Sequence, residues 1–525
     1  RVPAPDPNPP TLAKADGVEW PGLMAIYHGV NWWGDETVVT AIKEAHFGAS
    51  GCAEFQVDQV TKRGLHSFVF LWAHEAGTVP WKFRDDDTVL CYYLGDRIPP
   101  GGWGKWAGLE AAAYRADPLH PAVFSMSPQA WGGIEVYFPI VRGRAIQYYH
   151  YSWDSGRLPH MHYAFLEQYR QQSAANGQVP IIRLLESRPE DMRKTNRDIF
   201  TSLAYGVRGF QYGGAIFDGG KRDERGVPVQ NHLGKVAAKA NLAIEAFSPV
   251  FRRARNVDTF NVHPLPRGCK TVPPDYWVRL GGAEVCMGEF ADRFASYLVL
   301  ANRNAFGASQ AVLQFAEKGL KVSKMNKNLG YWEDLPLKEE PNGLSSVAVP
   351  LEEADGELVR VIGHCVKPTI TGPLQFVGKA RVAIASGNHS GTIRYTLDGT
   401  APTRESRAYK SPFEIAGTTK VRAIFTRGST NESAVAEATF TKVQPQKVDG
   451  KQVGPGVAYE YYEGSWTALP EFDKLKPAGT GKRADMSLKA SRRENEYGLR
   501  FSGYLDIKTA GSYTFSLCSD DGSRL

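Results

Sequence analysis

The stretch Thr88-Val-Leu-Cys-Tyr-Tyr-Leu94 constrains this chain most. Its residues are apolar, β-branched or aromatic, with no charge and no proline, which is how a strand buried on both faces reads. Gly95 and Asp96 end the run, and Arg97-Ile-Pro-Pro-Gly-Gly follows. Asp96 and Arg97 are therefore expected at the carboxyl end of a buried strand, where α/β barrels place their chemistry.

Around this stretch, strand-like and helix-like segments alternate over residues 22–254, the pattern of βα units closing a parallel sheet. Strands are expected at 23–30, 52–55, 65–72, 88–94, 122–126, 145–152, 179–185 and 209–213, enough for a (β/α)8 TIM barrel. Val38, Val39, Ile42 and Ala45 give the first helix its buried face. The third helix is expected to be missing or very short, and a helix over 233–247 closes the ring.

Before the barrel, residues 1–21 begin Arg1-Val-Pro-Ala-Pro-Asp-Pro-Asn-Pro-Pro10 and read as the extended amino-terminal segment of a secreted or cell-surface chain. Over 255–367 helical spacing gives way to short strand-like runs such as 295–301 and 358–362, which predict a β-sandwich packed on the barrel. A second sandwich is expected over 368–442, where the run from Thr392 breaks at the turn signal Asp398-Gly399. Residues 443–456 read as a linker, and 457–525 as part of another all-β module. The fold class is thus multidomain, a (β/α)8 barrel followed by all-β sandwich domains.

Composition narrows the function. Charged residues at 22% and hydrophobic residues at 42% are those of a globular protein, while 12 Trp and 23 Tyr supply stacking surfaces of the kind sugars use. A formal charge of +6 without any run of like charges gives no nucleic-acid arm, and no apolar stretch is long enough for a membrane span. No Cys-x-x-Cys occurs. Cys269 and Cys286 are close enough for a local disulfide, with two free thiols as the other open reading; Cys91 reads as a core residue.

Three parts of the chain resemble known families. Tyr93-Leu94-Gly95-Asp96-Arg97-Ile98-Pro99 and Asp117-Pro118-Leu119-His120-Pro121 are similar to the Tyr-Leu-x-Asp-Glu-Pro and Asp-Pro-x-His-Pro segments of secreted glycoside hydrolases of the large retaining (β/α)8 clan. The resemblance implies a nucleophile at Glu186, at the end of strand seven. The position of the acid/base glutamate falls on Arg97, which cannot deliver a proton at ordinary pH. Tyr395-Thr-Leu-Asp-Gly399, Pro402-Thr403 and Tyr409 resemble the chitobiase/hexosaminidase C-terminal repeat. Phe501-Ser-Gly-Tyr504, Gly511-Ser-Tyr-Thr-Phe515 and Ser519-Asp-Asp-Gly-Ser-Arg524 resemble the protective-antigen-type sandwich, which implies calcium at Asp520 and Asp521.

Glycoside hydrolysis needs two carboxyl groups flanking the bond, about 5–5.5 Å apart for retention and about 6.5–9.5 Å for inversion. The expected strand ends supply Glu75, Asp96, Asp154, Glu186 and Asp218. Glu186 is the candidate nucleophile, and Glu75 or Asp96 the candidate proton donor. A rim ion pair between Asp96 and Arg97, and a helix-opening role for Glu186, are the structural alternatives. Trp32, Trp33, His74, Arg97, Trp103, Tyr149, Trp153 and Asp154 are the candidate sugar-binding residues. The histidines show no metal-ligand spacing, so no catalytic cofactor is expected. Two functions follow: hydrolysis of a polysaccharide at the barrel rim, or non-catalytic glycan binding by a barrel that has lost its acid.

Overall fold

The structure, a computed structural model, describes residues 20–28, 35–96, 103–126, 134, 144–149, 161–185, 192–212, 216–292, 294–386, 391–428, 431–444, 454–466, 469–505 and 524. The chain divides into two compact units. The first comprises 1–368, 386–393 and 424–435, and the second 369–385, 394–423 and 436–525.

Eight parallel strands close a barrel in the first unit. They are β1 (Met24–Tyr27), β2 (Ala49–Cys52), β3 (His66–Phe70), β4 (Val89–Asp96), β5 (Ala122–Met126), β6 (Ile146–Tyr149), β7 (Ile181–Leu185) and β8 (Val207–Tyr212). Seven helices accompany them among the described residues: α1 (Glu36–Glu44), α2 (Val57–Thr61), α3 (Val79–Phe83), α4 (Trp103–Ala116), α5 (His162–Ala175), α6 (Met192–Ala204) and α7 (His232–Phe251). The barrel expected from the sequence is therefore present, and its third helix is a single short turn.

Alternation sorts the strand residues into two layers. Met24, Ile26, Phe68, Leu90, Cys91, Val123 and Ile182 fill the barrel, with Trp20 packed among them. Ala25, Val69, Tyr92, Phe124, Tyr148 and Leu185 face outward to the helices. There Tyr148 stacks on Tyr169 of α5 at 4.1 Å, and Arg183 of β7 pairs with Asp198 of α6 at 2.7 Å, both fully buried.

One expectation needs correction, one hairpin was not anticipated, and one open choice is decided. Strand two lies at Ala49–Cys52, not 52–55, and consists of small residues because its neighbours fill the space: a Cβ on Gly51 would lie 2.5 Å from Phe70 Cε2. A hairpin, β9 (Phe217–Arg222) with β10 (Pro228–Gln230), intervenes between β8 and α7. Its polar sequence carries no strand signal. Cys269 and Cys286 are free thiols: Cys286 is buried opposite Asn261, and Cys269 Sγ lies 3.1 Å from the Tyr205 hydroxyl.

Ten strands follow the barrel in the same unit: β11 (Arg255–Asn261), β12 (Val278–Gly282), β13 (Val285–Ala291), β14 (Ser296–Asn302), β15 (Ser309–Phe315), β16 (Lys321–Met325), β17 (Trp332–Leu335), β18 (Lys338–Glu339), β19 (Ser345–Leu351) and β20 (Gly356–Ile362). They form a six-stranded sheet, β11-β13-β14-β20-β16-β17, and a four-stranded sheet, β12-β15-β19-β18. Met287, Leu298, Leu313, Phe315 and Val359 form the core of this sandwich. Phe290, Tyr297, Val299 and Leu358, on the other face of the larger sheet, join the barrel's outer core with Phe200 and Leu203 of α6.

In the second unit, 369–371, 380–385 and 413–415 make a three-stranded sheet, and the strand 436–442 pairs with 375–376 and with 419–423. The strand expected to break at Asp398-Gly399 ends at Thr396, and Gly399 takes a left-handed φ of 80°. Tyr395 stacks on Phe413 at 4.9 Å, with Tyr409 edge-on to it, so these family-like tyrosines build the module's core. Strand 457–463 is the centre of a further three-stranded sheet with 479–483 and 497–502.

Candidate functional site

The carboxyl ends of the barrel strands are where the sequence places its candidate residues. The barrel interior changes character toward that end. Gln147 of β6 donates to the Gln211 side-chain oxygen, and Gln211 of β8 donates to His28 Nδ1 just past β1. An amide N–H meeting Nδ1 finds a lone pair there in the neutral imidazole that carries its proton on Nε2. Burial supports this by lowering the His28 pKa. The His28 ring lies edge-on to Phe70 at 5.3 Å and to Tyr93 at 5.8 Å, which complete the layer on the β3–β4 side. Among the described residues, Gln147 Oε1 and Ser125 Oγ are buried without a hydrogen-bond partner.

Asp96 is the last residue of β4. A bulge separates it from the buried run: Tyr93 pairs with Val123, Gly95 with Phe124 and Asp96 with Ser125. Only glycine suits the bulged position, with φ at 153° and the Trp106 indole 3.0 Å from where a Cβ would lie. Ser125 pairs in turn with Gln147, so the bulge brings the Asp96 backbone into register with the polar layer.

On the neighbouring strand, β3 runs out into a turn. Glu75 Oε2 accepts the Trp72 N–H at 2.7 Å, and the Glu75 N–H returns to the Trp72 carbonyl at 2.9 Å. The Glu75 carboxylate thus closes a turn, while His74 and Trp72 beside it are exposed. Tyr149 ends β6, buried and in register with Leu184. Trp103 is the first residue of α4. Asp218 lies on the β9–β10 hairpin and pairs with Lys221 at 2.9 Å. The same hairpin is tied back by Arg222, which reaches Asp35 at 2.7 Å. Asp35 also caps α1 through the Thr37 N–H, and the bond from the Thr37 hydroxyl, with the arginine, holds its carboxyl below the usual range.

Trp32, Trp33, Arg97, Trp153, Asp154, Glu186, Asp520 and Asp521 lie outside the described residues. Among the described residues, no group of three or more His, Cys, Asp or Glu is arranged to hold a metal ion. No described helix is long and apolar enough to cross a membrane.

The Asp-Pro-x-His-Pro segment sits elsewhere. Asp117 follows α4 and precedes β5, at the amino end of the barrel. Its buried carboxylate accepts from the Tyr92 hydroxyl at 2.6 Å, from His120 Nδ1 at 2.6 Å, and from the N–H groups of Leu119 and His120 at 2.9 and 3.1 Å. Glu110 of α4, pushed up to about 8 by burial, accepts the Arg144 N–H shortly before β6 begins, again at the amino end. Neither carboxyl faces the rim. Sequence reasoning missed Gln147, Gln211, Ser125 and His28 as a layer. The available signal was a polar residue inside an apolar run near the end of its strand.

Residues 372–437 match the chitobiase/beta-hexosaminidase C-terminal domain family. No curated protein matches the sequence. Among solved structures, a glycoside hydrolase family 5 protein from Bacteroides vulgatus is 11% identical over 65% of this chain and 89% of its own, with a TM-score of 0.39. A family 27 β-L-arabinopyranosidase from Geobacillus stearothermophilus is 10% identical over 66% and 97%, with a TM-score of 0.42. The γ-cyclodextrin glucanotransferase (CGTase) of alkalophilic Bacillus clarkii is 11% identical over 85% and 88%, with a TM-score of 0.37. At these scores the three likenesses carry no weight for what this chain does.

Proposed function

We propose that this chain is a secreted or cell-surface carbohydrate-active enzyme that hydrolyses glycosidic bonds of a polysaccharide at the carboxyl-end rim of the barrel. The observation that carries the reading is the polar layer of His28, Gln211, Gln147 and Ser125 beneath the rim, above an otherwise apolar barrel interior. Buried polar groups cost stability unless hydrogen-bonded, and Gln147 Oε1 and Ser125 Oγ have no such partner among the described residues; barrels of this kind build their sites at that end. The chitobiase-type module directs the choice of substrate to carbohydrate. In this reading Glu186, directly after β7, is the nucleophile, and Asp96 of β4 the proton donor.

One observation favours the second reading, a barrel that binds glycan without cleaving it. Glu75, the substitute for the acid that Arg97 displaces, uses its carboxylate to close the Trp72 turn. A polysaccharide panel separates the two, with reducing-end release and pull-down measured on the same samples. Release of reducing ends from any member supports hydrolysis. Retention on a polymer without release assigns the protein to the binding class, and neither response removes carbohydrate from the account.

A further inference from the structure

A cleft of about 330 Å³ lies between the end of α7 and the outer strands of the six-stranded sheet, away from the barrel rim. Its walls are Val250 and Arg253 on the barrel side, and Phe294, Met325, Trp332 and Arg360 on the sandwich side. The volume is at the lower end of small-ligand sites.

Its polar groups are cationic. The Arg360 guanidinium lies over the Trp332 indole at 4.3 Å, and its Nε donates to Ser323 Oγ at 3.1 Å. The ring fixes the plane of the fork and the serine fixes one edge, while no described side chain accepts from its terminal nitrogens. Burial lowers the proton affinity of Arg360, with Tyr297 and Asp334 opposing the shift. The charge is thus partly stripped of water without an ion-pair partner among the described residues, a condition that an anion relieves.

Arg253, on the opposite wall, lies 5.5 Å from the Phe294 ring with 60% of its side chain exposed. The nearest carboxylate, Asp292, lies 3.8 Å from its Nε. That carboxylate is already engaged by the N–H groups of Phe294 and Ala295 at 2.7 and 3.0 Å, and by the Tyr297 hydroxyl at 3.3 Å. Among the described residues, no acidic one lines the cleft. An oriented guanidinium fork matches a carboxylate or a sulfate, and the exposed side chains of Phe294 and Ile362, with the indole, give an apolar surface for the CH face of a pyranose ring.

We propose that this cleft binds an anionic sugar residue, its carboxylate or sulfate ester held by Arg253 and Arg360 and its ring laid against Trp332 and the apolar wall. The site is independent of whether the rim hydrolyses anything. The test is calorimetric titration of the full chain with a glucuronate-containing disaccharide, a sulfated disaccharide, a neutral disaccharide of the same linkage, and inorganic sulfate. At least one anionic disaccharide is expected to bind, with the neutral one weaker by about tenfold or more. Arg253→Ala, at an exposed position, is expected to weaken anionic binding by about tenfold with an unchanged melting temperature. Arg360→Lys, which keeps charge but loses the fork, is expected to do the same. Should that lysine variant not fold, Arg253→Ala decides alone. Failure of both anionic disaccharides to bind, equal binding of inorganic sulfate, or wild-type binding by Arg253→Ala overturns the proposal.

Discussion

Replacing Asp117 separates an architectural motif from a catalytic one. The carboxylate is 0% exposed and accepts four hydrogen bonds, two from backbone N–H groups and two from the side chains of Tyr92 and His120. Asp117→Ala leaves those donors without an acceptor. A buried donor so stranded costs about 1–3 kcal/mol. His120 is only slightly exposed, but the loop has some freedom to find water, so about 3–5 kcal/mol is expected in total. In a domain of this size that lowers the melting temperature by roughly 6–20 °C. Asp117→Asn keeps an acceptor for the backbone pair and should lose less. Burial alone would raise the Asp117 pKa, yet the bonds from His120 and Tyr92 bring it below the usual range. Its contribution is therefore present above about pH 4 and lost as pH falls through the lower folded value. The Asn variant should lack that acid step. The assay is thermal unfolding from pH 7 to 2, with any hydrolytic or binding activity normalised to folded protein. A melting point within about 3 °C of wild type for Asp117→Ala would refute the reasoning.

The His28 reading makes a pH prediction of the same sign in a higher window. Its folded pKa is lowered by burial, so the unfolded chain takes up the proton first, and stability falls as pH drops from about 6.5 toward the folded value. His28→Gln should flatten the melting curve in that window; an unchanged slope would contradict a buried, neutral imidazole. If the barrel hydrolyses, Glu186→Gln should cut turnover by about 10²–10⁴-fold with little change in melting temperature, and a stable, fully active variant would move the nucleophile elsewhere. Asp96→Asn should show the same loss. Glu75→Gln should retain activity, because a glutamine oxygen still accepts the Trp72 N–H; a loss by Glu75→Gln alone would exchange the two roles.

Much of the barrel was legible because buried parallel strands are continuous apolar runs, and β4, β5 and β7 advertise themselves in that way. Strand β2 did not, since Ala49-Ser-Gly-Cys52 has been cut down to make room for Phe70 and carries little hydrophobic signal. The β9–β10 hairpin was invisible for the reverse reason: its strands are exposed and polar, so nothing alternates. Gln147 and Gln211 read as interruptions of good strands. Only the closed ring, with β1 paired to β8, shows that they and His28 share one layer. The Asp-Pro-x-His-Pro resemblance pointed to the right architecture, but order along the chain already put Asp117 ahead of β5, at the end opposite the rim.

The bulge at Gly95 turns the Arg97 departure into a question about register. Without the extra residue, Gly95 would pair with Ser125, and Asp96 with Met126, the last residue of β5. With it, Gly95 pairs with Phe124 and Asp96 with Ser125, whose own partner is Gln147 of the polar layer. A side-chain period of two means that a one-residue shift exchanges the inward and outward sets. The β4 position aligned with the polar layer is thus held by an aspartate, and the residue that departs from the glycosidase pattern, Arg97, is the next one along. A structural ion pair between the two needs no such alignment, since any rim position serves it. The bulge, at a position only glycine suits beneath the Trp106 indole, puts the Asp96 backbone in register with Ser125, and on that ground Asp96 is a stronger candidate for chemistry than its arginine neighbour suggests.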